Sequence, residues 1–322
     1  MNTFEKIEYN KERDFSETLS ASVAFIRQNF KLLISAILFL AGPLLLLNAI
    51  LISIYVQNMF NLTELAASNN LGMLSSVFSP IYFLVIIVSI LSGILMIGIV
   101  YEAMALYEKH PTENLSVAII WNAILKDIKL LFSTFFYLIG ILFLFGIGLT
   151  LVFMLFFAIG VAGMSIFMFL FFIAMLIFGP PVLFLISAVY PIRIRERVSN
   201  TIAFSKSYQL VKKNFWNTWI VIFVSYLIVM ILGLFFSIPQ SIYTGTSQLH
   251  NIYDSGFNQN SSVLITVFNV IAILGTNIVN AILYIIIGFH YFSSNEKEYG
   301  VGLAEKIDTI GTHTNDNEDI TI

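Results

Sequence analysis

Long stretches without a charged side chain alternate along the chain with short segments that carry the charge. Five such stretches, 32–63, 65–101, 130–192, 214–253 and 255–295, contain no Asp, Glu, Lys or Arg. A helix that crosses a bilayer core about 30 Å thick needs about 20 mostly apolar residues. The third stretch is 63 residues long and holds two such helices. The pattern predicts an all-α polytopic membrane protein with six spans, at 32–55, 80–104, 130–157, 164–190, 216–238 and 263–291.

The segments that precede alternate spans have their own pattern. Phe15, Leu19, Val23, Ile26 and Phe30 recur at helical spacing, with Glu17, Gln28 and Lys31 off that stripe. Asp14 and Glu17 have the spacing of a capping box. Such a helix can lie in the headgroup plane with its apolar side down. SYQLVKKNF, ending at Phe215, aligns with SVAFIRQNF, ending at Phe30, at an offset of 185 residues. Ser22/Ser207, Asn29/Asn214 and Phe30/Phe215 are identical pairs. A shorter match, SVAII from Ser116, precedes the third span. The expected organisation is three hairpins in parallel orientation, each preceded by an amphipathic interfacial helix. A cytoplasmic segment 1–13, a membrane domain 14–292 and a solvated, partly disordered tail 293–322 complete the layout.

Charge sets the expected orientation. All 16 Lys and Arg residues fall before span one, between spans two and three, between spans four and five, or after span six. Both termini are therefore expected in the cytoplasm, by the positive-inside rule. The opposite loops carry only Glu64 and Asp254 as charges. The polar, mixed-charge first 31 residues do not read as a cleavable signal peptide.

The stretch from Ser199 to Ile228, SNTIAFSKSYQLVKKNFWNTWIVIFVSYLI, resembles the signature of the bacterial glycerophosphoryl diester phosphodiesterase membrane-domain family and its stand-alone six-helix relatives. Ser207, Leu210, Lys212 and Trp216 occupy the places of that motif, and GPPVLFLISAVYPIRIRER before it is similar in character. The likeness covers about 30 residues by motif. The catalytic domain of the fused proteins has no counterpart here. The resemblance thus implies a membrane module of a bacterial inner membrane without the phosphodiesterase activity.

Composition narrows the chemistry. With no Cys there is no disulfide, thiolate metal ligand or thiol nucleophile. A net charge of −3 offers no electrostatic basis for nucleic-acid binding. HExxH, GxSxG and P-loop motifs are absent, and His110, His250, His290 and His313 are scattered along the chain. No cofactor and no enzymatic activity are expected.

Three groups of residues are candidates for function. Glu102 and His290 are ionisable groups at span boundaries; each marks a site within the membrane or is a boundary side chain that reaches water. Pro43 and the pair Pro180–Pro181 interrupt spans, each freeing a carbonyl one turn earlier. With Asn48, Asn269, Thr276, Asn277 and Asn280 they define a midplane polar cluster, which serves either a substrate pathway or interhelical hydrogen bonding. Arg27, Lys31, Lys212, Lys213, Trp216 and Trp219 are expected to contact lipid headgroups. Small residues, among them Ser89, Ser92, Gly93, Gly140, Gly146, Gly148, Gly160 and Gly163, are expected to permit close helix packing. The leading functional expectation is a non-catalytic scaffold or assembly factor whose partners are membrane lipids and other membrane proteins. The alternative is a pathway for a small solute or lipid through the polar cluster.

Overall fold

The computed structural model describes residues 7–66, 79–109, 115–253 and 259–300, together with Gly302, Ala304 and Ile307. His110, His313, Asp254, most of the tail, and the side chains of Glu64 and His250 lie outside the described residues. No strand occurs among the described residues. The helices are α1 (Phe15–Ala36), α2 (Gly42–Ala66), α3 (Pro80–Lys109), α4 (Val117–Phe157), α5 (Val161–Ser187), α6 (Val189–Glu196), α7 (Asn200–Lys213), α8 (Phe215–Tyr253) and α9 (Gln259–Tyr299). A π-turn, Ile37–Ala41, joins α1 to α2. Six helical stretches are long and apolar enough to cross a membrane, as the charge-free stretches predicted.

α9 is the centre of the bundle, packed on α8, α2, α3 and α1. The consecutive pairs α2–α3, α4–α5 and α8–α9 pack on each other. Helix α4 has 41 residues, about 61 Å at 1.5 Å per residue, so one rod includes both the entry segment and the span. The buried core concentrates at the charged end, where Phe25, Tyr101, Phe184, Phe289 and Tyr291 are fully enclosed.

Helix caps reveal a threefold repeat in a register that sequence matching alone does not give. Asp14, Ser116 and Ser199 each cap a helix N-terminus through the side chain. The Asp14 cap is the predicted capping box, with Glu17 returning a bond to the Asp14 N–H. Counting from these caps, the fourth, eighth and eleventh residues are buried in all three copies. They are Thr18, Ser22 and Phe25; Ile120, Ile124 and Asp127; Ala203, Ser207 and Leu210. The 185-residue offset holds, but Ser116 is equivalent to Asp14 and not to Ser22, so the SVAII match is out of register by eight positions. Asn29 and Asn214, fifteen residues past their caps, both leave helical geometry and turn their amides back to Phe25 O (3.1 Å) and Leu210 O (3.5 Å). The middle copy has Leu131 there and runs straight.

The first entry helix packs differently from its hydrophobic stripe. Its buried face is Thr18, Ser22 and Phe25, whereas Val23 and Phe30 are exposed. The hydroxyls need no outside partner, since Thr18 donates to Asp14 O (2.7 Å) and Ser22 to Thr18 O (2.8 Å). Small residues closed onto their own backbone let the helix approach α9 and α3. The domain edges also move. Tyr9 and Arg13 are buried, and α9 continues to Tyr299 with Ser293, Ser294 and Asn295 enclosed, so 293–299 belongs to the bundle and not to a loose tail.

The prolines are accommodated in two ways. Before Pro43 the π-turn closes with the Gly42 N–H on Ile37 O, a widened turn where the proline supplies no donor. Pro180 leaves the Leu176 carbonyl without its helical donor. The indole Nε1–H of Trp219 on α8 donates to that carbonyl at 3.1 Å.

Candidate functional site

The run Arg193–Arg197 gathers most of the charge at one end of the bundle. Helix α6 stops because Arg197 adopts a left-handed conformation (φ 57°, ψ 28°), its N–H still bonded to Arg193 O at 3.1 Å. The Ser199 cap then starts α7 in a new direction. This reversal aims the Arg197 guanidinium at Asp127, with Nη1 to Oδ1 at 2.5 Å. The bond to Asp127 raises the Arg197 pKa above its ordinary value. Arg193, one turn earlier, donates to Thr134 Oγ1 (2.6 Å) and Leu130 O (3.0 Å) on α4. The intervening residues face other helices. Arg195 donates to Glu108 Oε1 and Asn10 Oδ1, each at 2.6 Å, and lies 5.0 Å over the Phe292 ring. Glu196 accepts from Lys206 (2.7 Å) and from the Tyr291 hydroxyl. Four of five consecutive residues thereby tie the end of α6 to α3, α4, α7, α9 and the N-terminal segment.

Glu102 lies inside this lock. Its carboxyl faces that of Asp127 within hydrogen-bonding reach, and its Oε1 is buried with no partner. Only 3% of Glu102 is exposed, so it does not reach water at the boundary. Asp127, invisible as a partner in the sequence because it reads as a loop charge 25 residues downstream, occupies the buried position that Phe25 and Leu210 fill in the other copies. Beside the lock, Tyr9 packs at tilted and edge-on angles among Tyr107, Phe289 and Phe292, and burial pushes its hydroxyl pKa up. His290 is buried too, with Nε2 3.0 Å from Thr218 Oγ1 and the ring edge-on to Phe184. It is a core group and not a member of an aromatic belt.

The residues of the midplane cluster do not converge. Ser89 donates to Asn48 Oδ1 at 3.0 Å, and the Asn269 amide to Ser53 Oγ at 2.8 Å, each bridging two helices. Thr276 and Asn277 bond to their own helix at Ala272 O and Ile273 O. Asn280 and Pro43 are exposed, and Pro180 and Pro181 belong to α5, against α8. Near them a cavity of about 280 Å³ is lined by Leu176, Gly179, Pro180, Ile222, Phe223 and Tyr226 among others, an apolar groove between α5 and α8.

Of the expected headgroup contacts, Arg27, Lys31, Lys212 and Trp216 are exposed. Lys213 instead pairs with Glu298, and Trp219 is committed to Leu176 O. The small-residue expectation divides. A Cβ at Gly163 would meet Phe156 O at 2.2 Å, but one at Gly93, Gly140, Gly146, Gly148 or Gly160 would meet nothing within 4 Å. The tightest approaches include two glycines of α9, Gly275 and Gly288.

Among the described residues no three His, Asp or Glu side chains are grouped as metal ligands. No protein-family model, no curated protein and no solved structure matches this chain.

Proposed function

We propose that the chain is a non-catalytic membrane module of a bacterial inner membrane, with both termini in the cytoplasm, that scaffolds other membrane proteins. The observation that carries this reading is the asymmetry of the bundle. In the most apolar stretches of α4 and α5 only 6% of residues are buried, against 44% in α9. Phe143, Leu144, Phe145, Leu155, Phe169 and Phe172 are all exposed, although α5 packs on α8 as well as on α4. A helix apolar on every side lies in lipid or against other helices. An ion-paired base with two helices that leave most of their apolar surface uncovered is a form suited to a scaffold. The resemblance to stand-alone membrane-domain proteins is consistent with that role.

The pathway alternative draws no support from the polar residues, which are engaged pairwise or within their own helix. The test separates the two readings. Photoreactive residues at Phe143 and Phe169 are expected to crosslink to a defined membrane protein in intact cells, while Asn277→Leu with Asn280→Leu leaves function and melting temperature unchanged or raised. Crosslinks to lipid alone, together with loss of function in the double Leu variant, would reverse the assignment.

A further inference from the structure

The cap register that aligns the buried faces also aligns a stripe on the opposite side. Nine residues past the caps stand Val23, Leu125 and Tyr208, all exposed. Thirteen past stand Arg27, Lys129 and Lys212, also exposed. Sixteen past stand Phe30, Phe132 and Phe215, a phenylalanine in every copy. The step of four places the first two on one helix face. The Phe comes just past the break at Asn29 and Asn214 in two copies, and a further step of three along the continuous helix in the middle one, so the order in all three is apolar, cation, aromatic. The buried face lies four, eight and eleven residues past the caps, about 140° around the helix at 3.6 residues per turn.

What sets the three cations apart is their common place in the repeat; Lys31, Lys109 and Lys126 are likewise exposed and make no hydrogen bond or ion pair among the described residues, but none of them stands at this position. Arg193, Arg195, Arg197, Lys206, Lys213 and Lys297 are each held by a carboxylate, a hydroxyl or a carbonyl. Among the described residues Arg27, Lys129 and Lys212 make no hydrogen bond or ion pair. Each stands where an entry helix passes into an apolar stretch, one turn before its Phe. A phosphate at the membrane surface would meet the cation while its acyl chains run along the Phe.

We propose that Arg27, Lys129 and Lys212 are the cationic centres of three quasi-equivalent sites, each taking the phosphate of one anionic phospholipid. The repeat supplies the sites; three copies of one surface pattern bind three copies of one ligand. Lys129 belongs to the set although it shares no local sequence match with the other two, because only the cap register brings it into line. The sites are independent of the scaffolding reading and stand or fall separately from it.

The full chain, purified in mild detergent, is titrated with phosphatidylglycerol or with phosphatidylcholine, and retained lipids are counted by native mass spectrometry. Three phosphatidylglycerol molecules are expected to be retained. Arg27→Gln, Lys129→Gln and Lys212→Gln each lose one, and the triple variant retains none. Because these side chains make no internal bonds, the triple variant keeps the wild-type melting temperature. Lys11→Gln and Lys297→Gln, whose lysines pair with Glu17 and Glu12, keep all three lipids. Retention of three lipids by the triple variant, equal retention of phosphatidylcholine, or equal losses in the two control variants would overturn the proposal. Inorganic phosphate at the same concentration displaces none of the lipid; complete displacement would assign the sites to a free phosphate and overturn it as well.

Discussion

Arg197→Ala is expected to destabilise the protein by about 2–3 kcal/mol, read as a lowered melting temperature in detergent. Breaking a buried ion pair by removing one partner costs about 3–5 kcal/mol, since the remaining charge is stranded. The smaller figure applies because the Arg197 side chain is 46% exposed while that of Asp127 is only 7% exposed. The loss has a specific remedy. Adding Asp127→Leu puts at that position the residue type that Leu210 supplies in the third copy. The stranded carboxylate is then gone, and the double variant is expected to melt above Arg197→Ala alone. A double variant no more stable than the single one would mean that Arg197 acts by packing and not by its charge.

Gly275→Leu is expected to abolish a monodisperse fold. A Cβ at Gly275 would lie 2.1 Å from Phe236 Cδ1, 2.2 Å from Cγ and 2.8 Å from Cβ. A rotamer change would move Cγ and Cδ1, but Cβ is fixed to the Phe236 backbone and stays too close, so α8 must move away from α9. Overpacking costs about 1–3 kcal/mol in soluble cores and more where helices must separate. Phe236→Ala added to Gly275→Leu is expected to restore a single peak in size-exclusion chromatography. Gly146→Ala and Gly148→Ala, where nothing lies within 4 Å, are expected to leave the isolated protein unchanged. All three glycines are in apolar helices, and only the three-dimensional neighbourhood distinguishes them.

The same distinction explains what the sequence disclosed. The six spans were legible because charged side chains are excluded from hydrocarbon, and that exclusion needs no knowledge of contacts. The capping box at Asp14 was legible because it is local. The lock was not. Asp127 and Arg197 are 70 residues apart and meet through a left-handed residue that is an arginine and not a glycine, so no turn signal marks it. The repeat was half legible. Ser207, Asn214 and Phe215 match by identity, but the middle copy shares its caps and burial pattern with the others and not its letters. Trp219 carries the signature of an interfacial anchor, yet its indole meets the carbonyl that Pro180 releases. Donor and acceptor are 43 residues apart along the chain, so only the tertiary structure brings them together.

The orientation of the bundle requires its basic end to lie on one side of the membrane. Because the chain has no Cys, single cysteines report without background. Thr201 is exposed at the basic end, and Ala158 is exposed in the turn between α4 and α5. With a membrane-impermeant thiol reagent on spheroplasts, Ala158→Cys is predicted to label directly and Thr201→Cys only after permeabilisation. Labelling of Thr201→Cys in intact spheroplasts would contradict the orientation.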